Sequence, residues 1–417
     1  MLKFKTSNLY ASIPILLGLF LSSCMSPPYQ HSDKGNTDSK RTFTELTASD
    51  YNKTFDDPNP VVSYINRGAD YLRMRQFDRA IFHFNKAIEH DPDLVVAYLN
   101  RGTSYDSKGQ FDRAITDYSK AIELDPKHVG AYYNRGLTYN EIRQLDRAII
   151  DFNKVIELDQ EYVRAYYYRA VSYYRKRQFD RAIIDFNKVI ELDPEYVAAY
   201  RNRANAYDEI RQLDRAITDY NKAIELDPEY LAAYVNRGLM YIKKGQFDRA
   251  IIDFNKVIEL DPEYVAAYNN RANAYDSKGQ FDRAIIDFNK VIELDPEFVE
   301  AYNGLAWLYA TAKDSSVRNG SVAVNLAKKS IKFSKQRVNL GGRLDTLAAA
   351  YVEAGKLEQA FKTYERVMKL DSFFVLEYQK YLKNKGHYKD KIDGVYSTAM
   401  RNSLIACVRK GCQLGVD

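Results

Sequence analysis

Catalytic chemistry has little to work with in these 417 residues. Histidine occurs five times, at 31, 83, 90, 128 and 387, without the spacings that gather metal ligands. No glycine-rich loop cradles a phosphate, and neither a nucleophile elbow nor a cysteine–histidine pair is present. No apolar run reaches the roughly 20 residues that span a bilayer. Neither sign of charge dominates: 61 basic and 56 acidic side chains are interspersed, for a net +5. Such mixing marks a solvated surface and gives no reason to expect nucleic acid. Tryptophan occurs once and cysteine three times, but tyrosine 35 times, in a chain that is 46% hydrophobic.

What the chain does have is repetition. The 22 residues FDRAIIDFNKVIELDPEYVAAY at 179–200 return unchanged at 247–268, and FDRAIIDFNKVIELDPEFVEAY follows at 281–302. The period is 34 residues, with starts at 61, 95, 129, 163, 197, 231 and 265. Within a unit, Tyr268, Ala272 and Tyr275 share one helical face, and Phe281, Ala284, Phe288 and Val291 share another. Small residues let two helix backbones approach, and aromatics fill the remaining space, so the tyrosine surplus reads as core. One such pair cannot bury its apolar face alone, so pairs must stack. The pattern carried by Tyr98, Gly102, Tyr105, Ala114, Tyr118, Ala121 and Pro126 resembles the tetratricopeptide repeat. The resemblance implies an all-α fold: a right-handed α-solenoid of about nine helix pairs, followed by a small helical C-terminal domain. Seven regular repeats cover 61–298. Two divergent ones cover 299–373, the eighth unit carrying a longer inter-helix loop at 313–320.

Details of the unit follow from its residues. Gly279 is the expected stop of a first helix, where Arg75, Arg143, Arg177 and Arg211 stand in other units and tolerate a left-handed turn less easily. Asp261-Pro262 reads as a helix start, with aspartate as N-cap. Asp253 and Lys256, with Arg249, read as a solvated charged face. Arg67, Arg101 and their equivalents stand where the family usually has leucine; their stems can pack while their heads seek aspartates or carbonyls. His83 replaces an aspartate and His90 a leucine of the other repeats, which reads as drift.

The sixth position of each repeat carries the functional expectation. It reads Asn66, Asn100, Asn134, Tyr168, Asn202, Asn236 and Asn270. Asparagine is a mediocre residue for a helix interior. In the tetratricopeptide fold this position lines the concave groove, and a similar asparagine ladder in O-GlcNAc transferase grips extended peptide, each amide offering donor and acceptor. The resemblance therefore implies a peptide-binding groove, with Arg164, Tyr167, Tyr168 and Arg201 as the residues that select the partner. An exposed family habit is the plainer alternative. No catalytic residue, cofactor or metal site is expected.

The two ends carry further resemblances. Lys3 and Lys5 precede the apolar run 13–21, and Leu21-Ser22-Ser23-Cys24 resembles the lipobox of bacterial lipoproteins. That likeness implies a signal peptide over 1–23 and lipidation at Cys24, giving a membrane lipid anchor. Met25 and Ser26 lean toward the outer membrane and its periplasmic face. Residues 24–60 are then the lipidated cysteine and a flexible tether, with a typical span of roughly 35 Å. At the other end, Gln379, Leu382, Gly386, Tyr388, Asp393, Gly394 and Tyr396 match the spacing of a small peptidoglycan-binding domain over 374–417. Ser397, Met400 and Cys407-Val408 depart from it, and a basic helical cap on the last repeat is the alternative. Cys407 and Cys412 are too far apart for a disulfide within one unbroken helix. If Gly411 ends that helix they come within reach, so the sequence leaves both states open. The combined reading is a non-catalytic scaffold of the bacterial envelope whose partners are other envelope proteins, extended peptides and the cell wall. The alternative is a membrane-to-peptidoglycan tether with the repeats as spacer.

Overall fold

The computed structural model describes residues 59–334 and 339–414. Cys24, the expected signal peptide and all but the last two residues of the expected tether lie outside the described residues; Asn59 caps the first helix and Pro60 begins it. Twenty helices and no strand occur among the described residues. None of these helices is long and apolar enough to cross a membrane. By contacts the chain divides at Pro228 and Glu229 into two compact units.

In the first unit, five antiparallel pairs follow one another: α1 (Pro60–Arg73) with α2 (Phe77–His90), α3 (Val95–Ser107) with α4 (Phe111–Leu124), α5 (Val129–Glu141) with α6 (Leu145–Leu158), α7 (Val163–Arg175) with α8 (Phe179–Leu192), and α9 (Val197–Glu209) with α10 (Leu213–Leu226). The second unit holds α11 (Leu231–Lys243) with α12 (Phe247–Leu260), α13 (Val265–Ser277) with α14 (Phe281–Leu294), α15 (Val299–Thr311) with α16 (Gly320–Phe333), and α17 (Leu340–Glu353) with α18 (Leu357–Leu370). Two helices end it, α19 (Ser372–Asn384) and α20 (Thr398–Arg409).

Packing follows the small-residue pattern. Ala114, Tyr118 and Ala121 of α4 are fully or almost fully buried, as are Ala182, Phe186 and Val189 of α8. A Cβ on Gly102 would sit 2.8 Å from the Tyr118 ring, so in this pair the ring occupies the space a side chain would need. Within each unit the first helix of every pair also packs on the first helix of the next. The first helices of each unit therefore form a row.

Turns between the helices correct one expectation and sharpen another. Asp261 ends α12 instead of starting α13, which begins at Val265. Its carboxylate accepts the Glu263 N–H at 3.0 Å, closing a tight turn that aspartate serves well. Asp91, Asp125, Asp159, Asp193 and Asp295 do the same in their own turns. At the first-helix stop, Arg75, Arg143, Arg177 and Arg211 do adopt left-handed backbone, with φ between 57° and 61°. Repetition imposes the turn even where the residue is not glycine.

The solvated face read for Asp253 is also overturned: it is 2% exposed. Arg237 donates to both its oxygens, Nε at 2.9 Å and Nη2 at 2.6 Å. Lys256 and Arg249 do face outward, toward Glu259 and Gln246. The same fork joins Arg101 to Asp117, Arg135 to Asp151, Arg169 to Asp185, Arg203 to Asp219 and Arg271 to Asp287. Within each unit Arg101, Arg135, Arg169, Arg203 and Arg271 also reach back with Nη1 to the preceding pair; Arg169 meets Asn153 at 2.7 Å and Arg135 meets Ser119 at 2.9 Å. One guanidinium thus ties two helices of its own pair and a third from its neighbour. The pairing outweighs the burial that opposes the charge and holds Arg169 above its ordinary pKa. In the first pair His83 occupies the aspartate's place, its Nδ1 buried without a partner, and burial beside Arg67 lowers its pKa.

Candidate functional site

The row of first helices in the residue 59–228 unit presents the sixth-position residues in register, one per pair. Asn66, Asn100 and Asn134 are half-buried there, and their amides make no hydrogen bond among the described residues. An amide in that state keeps both a donor and an acceptor for a guest.

At the fourth and fifth pairs the row changes character. Tyr168 interrupts the ladder and turns its ring onto Phe152 and Tyr133, with centroids 6.2 and 6.0 Å away. Tyr133 also meets Tyr162 at 5.2 Å, and Tyr167 packs on Tyr196 at 5.0 Å and on Tyr168 at 5.2 Å. Asn202 is not available as Asn66 is: its Nδ2 donates to the Tyr167 hydroxyl at 2.8 Å, and its Oδ1 accepts from Arg201 Nε at 3.2 Å. Arg164 stands exposed among these rings with no carboxylate partner among the described residues. Burial pushes the hydroxyls of Tyr133, Tyr162, Tyr168 and Tyr196 up, so they stay protonated donors. Arg164, Tyr167, Tyr168, Arg201 and Asn202 therefore meet in one cluster, with an uncompensated cation beside a wall of rings.

The row in the second unit differs. Asn236 has internal partners and Asn270 is buried. Sequence reasoning missed the neighbouring positions. Asn269 is 2% exposed, and its Oδ1 is buried without a hydrogen bond, as is that of Asn303 one repeat later. The available signal was that the fifth position is Ile65, Leu99, Tyr133, Tyr167, Arg201 or Val235 elsewhere and asparagine twice running here. The Asp276 carboxyl, on the same helix as Asn269, has no ion-pair or hydrogen-bond partner among the described residues, and burial pushes its pKa up to about 6. The chain's own tail reaches the far end of this row: Gln413 donates to Ala310 O at 2.6 Å and to Glu353 at 3.0 Å.

The C-terminal motif residues are mostly engaged inside the protein. Gln379 is fully buried. Its Nε2 donates to Tyr388, Asp393 and Val395, and its Oε1 accepts the N–H groups of Asp393 and Gly394 at 3.0 and 2.8 Å. Leu382 lies in the core, Gly386 and Gly394 take left-handed backbone, and Tyr396 donates to Glu365 at 2.6 Å. These seven residues hold a loop in shape. Gly411 ends α20 and turns the chain back, and Cys407 is bridged to Cys412 with Cα atoms 5.1 Å apart.

Comparison with known families and structures agrees with this architecture. Models described as tetratricopeptide repeat match residues 61–94, 83–116, 129–162, 163–196, 197–230, 219–252 and 265–298, and one described as TPR repeat matches 104–142 and 238–279. Together they span 61–298, more than half of the chain. No curated protein sequence matches. Among solved structures, the C-terminal part of a TPR repeat-containing protein from Cytophaga hutchinsonii is similar at 18% identity and a TM-score of 0.50, covering 57% of this chain and 98% of its own. MamA is similar at 32% identity and a TM-score of 0.38, covering 39% and 94%. YrrB, described as a TPR protein with an unusual peptide-binding site, is similar at 26% and 0.39, covering 44% and 95%.

Proposed function

This chain belongs to the tetratricopeptide-repeat proteins, and from that premise we propose that it is a non-catalytic scaffold of the bacterial envelope that holds extended peptide segments of partner proteins. Its guest lies along the first-helix row of residues 59–228. One observation supports this most directly: three amides in register, Asn66, Asn100 and Asn134, lead to an unpaired Arg164 walled by tyrosines. The amides suit a peptide backbone, and the arginine suits a carboxylate on the guest. Cys24 anchors the chain to the membrane, on the outer membrane's periplasmic side, and the basic C-terminal residues meet the wall. The stiffening Arg–Asp–Asn ties between pairs favour a second reading, in which the repeats serve as spacer between membrane and peptidoglycan.

Capture of crosslinked partners by purified protein separates the two. Replacing Asn66, Asn100 and Asn134 together by alanine removes three net hydrogen bonds of about 1 kcal/mol each, so capture should fall roughly 100-fold with helicity unchanged. Arg164→Ala should weaken it further and remove its salt dependence. Unchanged capture in both variants would leave the spacer reading standing.

A further inference from the structure

The turns at Gly386 and Gly411 do more than end two helices. Each left-handed glycine folds the chain inward, and the residue that follows is carried to the same place: His387 after the first, Cys412 after the second. Backbone bonds fix both arrivals. His387 N–H donates to Leu382 O at 2.8 Å, and Cys412 N–H donates to Cys407 O at 3.0 Å. His387 Nε2 then lies 3.9 Å from Cys412 Sγ, and the imidazole and two sulfurs all lie within 4.8 Å of one another. The fold thereby creates the cysteine–histidine grouping that the linear sequence does not display.

We propose that this cluster is a thiol-dependent zinc site, with His387 Nε2, Cys407 Sγ and Cys412 Sγ as protein ligands. Zinc binds thiolate sulfur at about 2.3 Å and imidazole nitrogen at about 2.0–2.1 Å, so ligand atoms around a tetrahedral ion stand roughly 3.5–3.8 Å apart. The histidine is already near that separation from Cys412. The two sulfurs must part by side-chain rotation, and His387 and Cys407, within 4.8 Å of one another, must settle to the same separation. Cys407 is fully buried, while Cys412 and His387 are half-exposed, so the fourth position opens outward to a water. Two thiolates neutralise the ion, and no net charge is left against the apolar core of Leu382, Met400 and Leu404. A closed bridge, by contrast, gives His387 no task; the Cys412 sulfur is its side chain's one polar contact.

The two states exclude each other. A dithiol reductant gives two electrons and two protons to the Cys407–Cys412 bond and is itself oxidised to a disulfide, leaving two thiols. Zinc then forms two Zn–S bonds and one Zn–N bond and releases the two thiol protons. A disulfide oxidant reverses the sequence, accepting the electrons by thiol–disulfide exchange and ejecting the metal. In the periplasmic location proposed above disulfides persist and the bridge holds, so zinc enters only when a reductant of that kind opens it.

The test uses the full chain, with Cys24→Ser as background so that the third cysteine contributes nothing. Zinc affinity is measured against a chromophoric chelator, after phosphine reduction and after oxidation. The reduced protein should hold one zinc and the oxidised protein none above background. Cys412→Ser should abolish binding, and His387→Ala should weaken it at least tenfold with helicity intact. Both are half-exposed positions, so the test does not depend on the buried Cys407. Equal zinc content in the reduced and oxidised forms would overturn the proposal, and so would His387→Ala binding as tightly as the parent.

Discussion

Asp276 shows what one side chain does when the repeat supplies no partner. Its equivalents are engaged: Asp106 accepts from Thr138 Oγ1 at 2.8 Å, and Asn140 receives Arg175 through both backbone and side-chain oxygens. Asp276 meets neither, and burial alone pushes its pKa up to about 6 from 3.8. A folded-state value above the unfolded one means that the native chain holds the extra proton between pH 4 and 6. Stability therefore falls as pH rises through that window, and the full penalty persists above it. Asp276→Asn should be more stable at pH 7 by about 1–2 kcal/mol, discounting the shift for partial exposure, and the advantage should vanish near pH 4. Urea unfolding at both pH values measures it; a gain that does not depend on pH would mean that the charge is not the cause.

At the scale of the helix, the arginine forks decide how strongly neighbouring pairs are coupled. Asp185 is 3% exposed, and Arg169 reaches both of its oxygens and Asn153 of the pair before. Removing one partner strands the other charge, so Asp185→Ala should cost about 3–5 kcal/mol. Replacing Arg169 and Asp185 both by leucine should recover most of that, because no buried charge is left. Hydrogen exchange should rise first in α7 and α8, since each pair contacts only its neighbours. A loss below about 1 kcal/mol for Asp185→Ala would show the fork to be screened by solvent. The forks were half legible in advance. That the arginine stems pack while their heads seek aspartates or carbonyls followed from the resemblance to the repeat family, which usually has leucine there. That Asp253 and its equivalents are those aspartates did not, because helical spacing alone puts Asp253, Lys256 and Arg249 on one stripe.

For the molecule as a whole, the proposed attachment rests on Cys24, which lies outside the described residues. If Cys24 is lipidated, Cys24→Ser should move the chain from the membrane fraction to the soluble fraction in cells while its helicity stays the same. Equal partition of parent and variant would remove the anchor. Deleting residues 374–417 tests wall contact separately, but α19 and α20 share one core with α15–α18, so such a truncation must first be shown to fold.

The sequence alone determined the 34-residue period, the pairing of helices and the identity of the residues between them. Those depend on contacts within one unit, copied at fixed spacing, and a repeat states them many times over. The tertiary structure alone decided which groups are left over for a guest. Asn202 is engaged by Tyr167, 35 residues before it, whereas the side-chain amides of Asn66, Asn100 and Asn134 make no hydrogen bond among the described residues. Likewise His387 and Cys412, 25 residues apart, meet because two left-handed turns close onto one point. Whether a polar side chain is spent or spare depends on what adjacent helices and turns bring within 3 or 4 Å of it, and spacing along the chain does not encode that.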